Sequence, residues 1–227
     1  GVAMVGPHPA GVMASIKQLG IPVVRNTWME PLDPYDIVSG TDHEAGAAVA
    51  RFLVELGHRQ IAYVHGTPGY RGRIERFYGV REVLERYPEI AFREMRFEAE
   101  RRFTEHLHAV YETGFLPTAF FCAHDGLAVT VVSELLRLGY RIPEDVSVIG
   151  FGDYSAATQI SPQLTTVRVH GRQIGAGLVR LLDDKISGRI APDFAIRMMI
   201  ASHLIIREST GPLLTTQRSG FESAGAK

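Results

Sequence analysis

The chain has 227 residues, of which 45% are hydrophobic and 22% charged, a composition that supports a folded core and argues against extensive disorder. Lysine and arginine total 24 against 25 aspartate and glutamate residues, so the net basic charge of a stand-alone DNA-binding domain is missing. One cysteine excludes an internal disulfide and a paired-cysteine zinc site, and no apolar run is long enough to span a membrane. We therefore expect a cytoplasmic protein without a membrane partner.

Short apolar runs alternate with amphipathic segments, a pattern that indicates parallel sheets built from strand–helix units. A helix is predicted over residues 42–56, since its apolar side chains recur at three- and four-residue steps and Gly57 follows where a left-handed residue ends a helix. Similar helices are predicted over 126–138 and 175–186. Strands are predicted at residues 2–5, 22–25, 36–39, 60–65, 92–97, 118–122, 146–150 and 165–169. Residues 211–227 lack any period, which predicts a flexible tail.

Signatures of catalysis are missing or incomplete. The sequence has no Gly-x-Ser-x-Gly elbow, no His-Glu-x-x-His zinc helix and no P-loop. Gly150-Phe151-Gly152 follows a predicted strand, but Ser155 stands where a dinucleotide-binding fingerprint has its third glycine. Cys122 and His124 could form a thiol nucleophile with its base, although a cysteine in an apolar strand more often serves packing. We therefore predict a ligand-binding protein rather than an enzyme, with no cofactor and no metal, and expect its ligand at the carboxyl ends of the strands.

Several short motifs follow one another along the chain. They are Asp42-x-x-x-Gly46, Leu53-x-x-x-Gly57-His58-Arg59, Arg76-Phe77-Tyr78-Gly79, Ala123-His124-Asp125, Ile142-Pro143-Glu144-Asp145-Val146-Ser147-Val148-Ile149-Gly150-Phe151, Leu164-Thr165-Thr166-Val167 and Arg207-Glu208-Ser209-Thr210. In this order they resemble the signatures of the LacI/GalR family of bacterial transcription regulators, over residues 1 to about 210. The resemblance implies the effector-binding domain of a regulator that represses transcription.

The same resemblance implies a fold similar to that of the type I periplasmic binding proteins. Two Rossmann-like α/β lobes with parallel sheets would be joined by crossover strands, with a small effector between them. Residues 1–40 and 169–197 would form the first lobe, which lacks its opening strands in this chain. Residues 41–168 and 198–210 would form the second lobe. The family's helix-turn-helix domain would lie outside these 227 residues.

Three positions carry the expectations for the effector pocket. Arg76 matches the arginine that in the family reaches effector hydroxyls, a use that suits a planar donor with a fixed fork. His124 takes the place of a frequent asparagine, and Gly152 that of a frequent aspartate. Loss of a carboxylate and gain of an ionisable imidazole favour an acidic effector, such as a sugar acid of the gluconate type. The alternative is a neutral sugar, with Gly152 making room and an uncharged His124 accepting a hydroxyl.

Four further residues are candidates for the pocket. Trp28 could stack on a sugar face from the first lobe, with packing as the alternative. Asp125 is a candidate contact as well, although capping of the following helix is the simpler expectation. Asp153 and Tyr154, which follow Gly152 in the sequence, are candidates of second rank.

The mechanism implied by the resemblance requires a homodimer, since the angle between the lobes would set the spacing of two DNA-reading domains. Leu127, Val131 and Ile160 lie in segments that match subunit-pairing regions of the family, with ordinary core packing as the alternative for each. The main rival is a periplasmic sugar-binding protein of an ABC transporter, which shares the fold but works as an exported monomer. The Gly-His-Arg, Val-Ser-Val-Ile-Gly-Phe and Arg-Glu-Ser-Thr motifs favour regulation.

Overall fold

Ten strands form two separate sheets in the computed structural model, which describes residues 1–6, 8–26, 34–66, 71–97, 102–191 and 193–213. The first sheet contains, in spatial order, β1 (Val2–Met4), β2 (Val23–Arg25), β3 (Asp36–Gly40) and β9 (Arg197–Ile200), all parallel. The second contains β10 (His203–Ile205), β8 (Thr165–Arg168), β7 (Ser147–Gly152), β6 (Ala119–Cys122), β4 (Gln60–His65) and β5 (Ala91–Arg96). Only β10 is antiparallel to its neighbour among these described strands. The predicted fold class, α/β with mostly parallel sheets, is confirmed.

Seven helices accompany the described strands: α1 (Ala10–Gln18), α2 (Asp42–Glu55), α3 (Arg71–Leu84), α4 (Phe103–Tyr111), α5 (Asp125–Arg137), α6 (Ala156–Gln159) and α7 (Gly171–Ile186). The last begins at Gly171 rather than at the predicted residue 175, because Ile174 already belongs to its buried face. Within the described ranges, none of these helices has both the length and the apolar character of a membrane-spanning segment. We call the first sheet with α1 and α7 the first lobe, and the second sheet with α2 to α6 the second lobe.

Three crossing segments connect the lobes. They are residues 40–41, the last residue of β3 and the residue before α2, residues 169–170, between β8 and α7, and residues 201–202, between β9 and β10. The sequence-based boundary after residue 197 is wrong by three residues, because β9 pairs with β3 as far as Ile200. Two hydrogen bonds lie at these crossings, the second of them to the first residue of β10. Ser202 N donates to Thr41 Oγ1 at 3.0 Å, and His170 Nε2 lies 3.0 Å from His203 Nδ1.

The second sheet is covered on both faces, as expected for buried parallel strands. Alternate residues of β7 point to opposite faces: Val148 joins an apolar cluster with α4 and α5, whereas Ile149 joins another with α2 and α3. The first sheet has one smaller cluster, built around β2, β3 and α7. The second lobe therefore contains most of the buried core.

α2 and α3 pack closely because a glycine stands at each of their contact points. A Cβ at Gly46 would collide with the backbone carbonyl of Arg76, and a Cβ at Gly79 would collide with that of His43. Glycine permits such an approach of two backbones. The motifs Asp42-x-x-x-Gly46 and Arg76-Phe77-Tyr78-Gly79 thus form one helix–helix contact, which brings the start of α2 to the side chain of Arg76.

His58 of the Gly-His-Arg motif connects three strands of the second sheet. Its Nδ1 lies 3.0 Å from Thr118 Oγ1, just before β6, and its Nε2 lies 3.0 Å from Ser147 Oγ in β7. Burial lowers the pKa of His58 from 6.5 to about 4; the hydrogen bond with the Gly211 backbone acts to raise it, and the charge of Arg59 lowers it further. The motif therefore has a structural role, with His58 as a neutral buried hydrogen-bonding residue.

The Arg-Glu-Ser-Thr motif also has structural roles. Ser209 Oγ accepts a hydrogen bond from Thr165 N at 2.8 Å and donates one to Val148 O at 2.6 Å. Glu208 accepts from Gln163 N at 2.8 Å. The end of the chain is thereby attached to the strands β7 and β8 of the second lobe.

Residues 211–213 follow this motif, and for them the prediction of a flexible tail is wrong. Gly211 N donates to Ser147 Oγ at 3.1 Å, and Leu213 N donates to Leu56 O at 2.9 Å. These backbone bonds hold the segment against the second lobe. The rest of the predicted tail, residues 214–227, lies outside the described residues.

Candidate functional site

The carboxyl ends of β6 and β7, together with the first turns of α3 and α5, form one edge of the second sheet. Arg76 lies on α3, His124 directly precedes α5, and Gly152 ends β7. These three predicted pocket residues therefore come from different elements that meet at the edge where ligands bind in parallel α/β sheets. Trp28, the candidate predicted to reach the pocket from the first lobe, lies outside the described residues.

Arg76 is buried, and its guanidinium is held by three different groups. Its Nε donates to Asp42 Oδ1 at 2.7 Å, and its Nη1 donates to the carbonyl of Ala123. The guanidinium carbon lies 3.3 Å above the centroid of the Phe151 ring, a stacking geometry that suits a planar, weakly hydrated cation. The side chain is thus fixed at the edge before any ligand arrives.

Asp42 is the partner that sequence reasoning missed, because it was recognised only as the first residue of a predicted helix and of a family motif. Its side chain is as buried as that of Arg76. Burial raises the pKa of the Asp42 carboxyl, while the charge and hydrogen bond of Arg76 act in the opposite direction. Removal of one member of such a pair leaves an uncompensated buried charge. The paired motifs that contain Gly46 and Gly79 were the available signal, since they bring the two helices together.

His124 is the N-terminal cap of α5. Its Nδ1 accepts a hydrogen bond from Leu127 N at 3.1 Å, so the ring is neutral and carries its proton on Nε2. Burial lowers the pKa of His124, and the nearby cations Arg73 and Arg76 lower it further. The prediction that Asp125 caps this helix is therefore wrong, because the histidine ring takes that position.

These contacts change the argument for an acidic effector. That argument needed a positive charge on His124 and an uncompensated cation at Arg76. In the structure the imidazole is neutral, and the guanidinium of Arg76 forms an ion pair with Asp42. Neither premise of the argument for an acidic effector is therefore met.

Gly152 requires its glycine for two reasons. Its φ of 129° lies in a region that side-chain-bearing residues rarely adopt, and a Cβ there would lie 2.7 Å from Cε2 of Tyr154. The ring of Tyr154 therefore covers Gly152. The glycine does not open an empty space in place of an aspartate, as the sequence suggested.

Asp153 is engaged within the lobe. Its Oδ2 accepts from Arg168 Nε and its Oδ1 from Arg207 Nη2, both at 2.6 Å. Although burial acts to raise it, the pKa of Asp153 is lowered overall by the hydrogen bonds and charges of the two arginines. Its φ of 55° is left-handed. We therefore interpret Asp153 as a residue that fixes the loop rather than one that binds an effector.

Asp125 is fully buried and joins three elements. Its Oδ1 accepts from Thr166 Oγ1 at 2.5 Å, and its Oδ2 accepts from Tyr154 N at 2.7 Å. Burial raises its pKa, and these hydrogen bonds oppose the increase. The residue positions the loop that carries Tyr154 and offers no exposed oxygen to a ligand.

Residues 50–210 match the periplasmic binding protein-like domain family. The chain belongs to this family. Among curated relatives, the HTH-type transcriptional repressor PurR of Vibrio atlanticus is 31% identical over 176 residues, which cover 76% of this chain and 53% of the relative. The chain spans 53% to 65% of the length of the PurR repressors that it matches.

Solved structures of LacI-type regulators have the same fold. The complex of the transcriptional regulator CelR with cellobiose has a TM-score of 0.78 and 26% identity, over 92% of this chain and 65% of that one. A LacI family regulator from Enterococcus faecalis with bound ribose has a TM-score of 0.75 and 25% identity, over 93% and 78% of the two chains. The resemblance to LacI-type regulators that the motifs predicted is confirmed.

Two of the three predicted dimer residues of this periplasmic binding protein-like domain are not at its surface. Leu127 and Val131 belong to the core beneath α5, and Ile160 packs against that core half-buried. For Leu127 and Val131 the assignment to an interface is therefore wrong, because a residue buried within one chain cannot contact a second. The solvent-facing side of α5 carries Gly126, Thr130, Ser133 and Leu136.

Cys122 does not have the environment of a nucleophile. Its thiol is fully buried in β6 and its pKa is raised by burial and by Asp125, whereas a reactive cysteine needs an accessible thiolate. The described residues also contain no group of three or more histidine, cysteine, aspartate or glutamate side chains placed to hold a metal ion. The relatives of the domain are transcriptional repressors.

Proposed function

We propose that this domain senses a small sugar between its two lobes and thereby controls operator binding by a helix-turn-helix domain of the same cytoplasmic regulator. The observation that carries the proposal is the preorganised guanidinium of Arg76. It is paired with Asp42, stacked on Phe151 and located at the edge where parallel sheets bind ligands. The repressor relatives and the sugar complexes of similar regulators support it.

A neutral polyhydroxyl compound suits this edge better than an acid. A fixed guanidinium donates directional hydrogen bonds, and a neutral His124 adds one Nε2–H donor. Because Asp42 already balances Arg76, a carboxylate of the effector would depend on Arg73, the other cation that acts on His124, as its counter-charge. Ribose and cellobiose, bound by two structural neighbours, represent the neutral class, and gluconate represents the acidic one.

The proposed coupling uses the crossing segments. An effector that binds one arrangement of the lobes more tightly shifts the population towards it, and residues 40–41, 169–170 and 201–202 are the places where the chain passes from lobe to lobe. In a homodimer, this change would alter the spacing of two DNA-reading domains. We place the dimer contact on the exposed side of α5, around Ser133 and Leu136.

The rival function, a periplasmic sugar-binding protein, predicts the same pocket but a monomer without DNA binding. The two are separated by gel-shift assays on the full-length protein with DNA from upstream of its own gene. We expect a specific complex whose affinity changes about 5- to 150-fold on addition of the effector. A monomeric full-length protein that ignores DNA would contradict regulation.

Effector binding is tested by calorimetric titration with a panel of neutral sugars and sugar acids that includes ribose, cellobiose and gluconate. We expect a neutral sugar to bind most tightly. Arg76→Lys keeps a cation beside Asp42 but removes the planar fork, so it should weaken binding at least about tenfold. Arg81→Lys, on the exposed side of α3, is the matched control. Equal affinity in both variants would refute the role of Arg76.

A further inference from the structure

Tyr154 is an exposed aromatic residue whose backbone is hydrogen-bonded to a buried side chain. Its side chain is 62% exposed, yet its backbone N donates to Asp125 Oδ2 at 2.7 Å. Asp125 is fully buried at the start of α5, the helix that His124 caps. The backbone of Tyr154 and the ring of His124 are thus both hydrogen-bonded to the first turn of one helix. An exposed ring that is attached to a fixed backbone is positioned for contact with a partner molecule.

The turn before Tyr154 is unusual because two consecutive residues have positive φ angles. Gly152 has φ 129° and Asp153 has φ 55°. Such a non-glycine conformation persists when its surroundings fix it, and Arg168 and Arg207 do so through the Asp153 carboxylate. The turn folds the Tyr154 ring back over the end of β7, where a Cβ at Gly152 would lie 2.7 Å from Cε2 and 2.8 Å from Cζ.

This arrangement determines which chemistry the end of β7 offers to a ligand. The ring occupies the volume that a side chain at position 152 would need. Both carboxylate oxygens of Asp153 accept hydrogen bonds from arginines of the same lobe. Neither residue therefore presents a carboxylate. The end of the strand offers an aromatic surface, which packs against the C–H face of a sugar ring or against another flat ring.

We infer that Tyr154 is a specificity-determining residue of the effector site, a platform against which the effector places a ring face. The effector is accordingly a cyclic sugar or another ring compound rather than an open-chain polyol or sugar acid. The inference rests on the proposed function, since it uses the same edge of the second lobe. Tyr154 would add an apolar contact with the effector, beside the polar contacts made by Arg76 and His124.

The test combines a thermal-shift screen with calorimetry on three variants. The screen uses matched cyclic and open-chain compounds: ribose with ribitol, glucose with sorbitol and gluconate, and cellobiose. We expect only cyclic compounds to stabilise the chain. For the best cyclic compound, Tyr154→Leu should weaken binding about tenfold, whereas Tyr154→Phe, which keeps the ring, should stay within about threefold. Tyr78→Leu removes an exposed ring from the solvent side of α3 and should leave affinity unchanged.

The outcomes separate this inference from the proposed function. If a cyclic compound binds and Tyr154→Leu binds it as well as the parent chain does, the platform is refuted while sugar sensing stands. Preference for ribitol or sorbitol also refutes the platform alone, whereas preference for gluconate refutes both the platform and the neutral-sugar proposal. If no compound binds, sugar sensing fails and the platform fails with it. Circular dichroism of each variant checks that a loss of affinity does not reflect unfolding.

Discussion

The two lobes differ in how their sheets are covered. The second sheet has apolar clusters on both faces, one under α4 and α5 and the other under α2 and α3. Among the described residues, the first sheet has one small cluster, centred on β2, β3 and α7, although every residue of β2 and β3 is buried. Large apolar side chains of the first lobe, such as Leu19 and Val179, are exposed.

This difference indicates where stability resides. Parallel strands are stable when both of their faces are buried, so the second lobe can serve as the rigid base of the site. The described part of the first lobe has the smaller apolar cluster, so it should open at lower free energy. Four predictions test or refine this comparison.

The largest effect is expected from truncation of a core leucine in each lobe. Leu135 of α5 and Leu181 of α7 are equally buried. Leu135→Ala should lower the free energy of unfolding by about 2–5 kcal/mol, whereas Leu181→Ala should cost less because its smaller cluster collapses around the cavity more easily. Urea unfolding followed by circular dichroism measures both. Equal losses would show that the lobes are equally rigid.

Two glycine-to-alanine changes provide a second matched pair. Gly79→Ala places a methyl group against the backbone of α2 and should destabilise the second lobe by about 1–3 kcal/mol. Gly175→Ala in α7 meets no atom within 4 Å, so it should stabilise by about 0.5–1 kcal/mol through helix propensity. Thermal unfolding shows whether each substitution lowers or raises the melting temperature. A harmless Gly79→Ala would contradict the close packing of α2 and α3.

Acid should weaken the second lobe through His58. The unfolded chain protonates this residue near pH 6.5, whereas the folded protein does so only near pH 4. The stability that neutral His58 contributes is complete above pH 6.5 and is lost as the pH falls towards 4, by up to about 1.4 kcal/mol per pH unit. Unfolding measured at several pH values should show this slope. His58→Gln should reduce it, and an unchanged slope would exclude His58 as its source.

The smallest effect is expected between the lobes. His203→Ala removes the exposed hydrogen bond to His170 across the crossing segments and should cost about 0.5 kcal/mol or less. Hydrogen exchange at residues 169–171 and 201–204 should nevertheless accelerate. His43→Ala, which removes an exposed imidazole from α2, is the control and should leave exchange there unchanged.

The sequence predicted the secondary-structure elements well, but it did not predict which side chains contact each other in the folded chain. Apolar periodicity located strands and helices, because burial of one face leaves a regular trace in the chain. The family resemblance assigned Leu127 and Val131 to a subunit interface, although apolar periodicity directs them into the core. The sequence also could not pair Asp42 with Arg76, which are 34 positions apart and meet only when α2 packs on α3.

By itself, the sequence determined the α/β class and the family resemblance, because these depend on local pattern and on motif order; it also supplied Arg76 as the proposed pocket residue. The tertiary structure decided the protonation of His124, the engagement of Asp125 and Asp153 within the second lobe, and the position of the Tyr154 ring over Gly152. The physical reason is that charge state and accessibility depend on neighbours that are distant in the chain. Those neighbours are brought together only by packing.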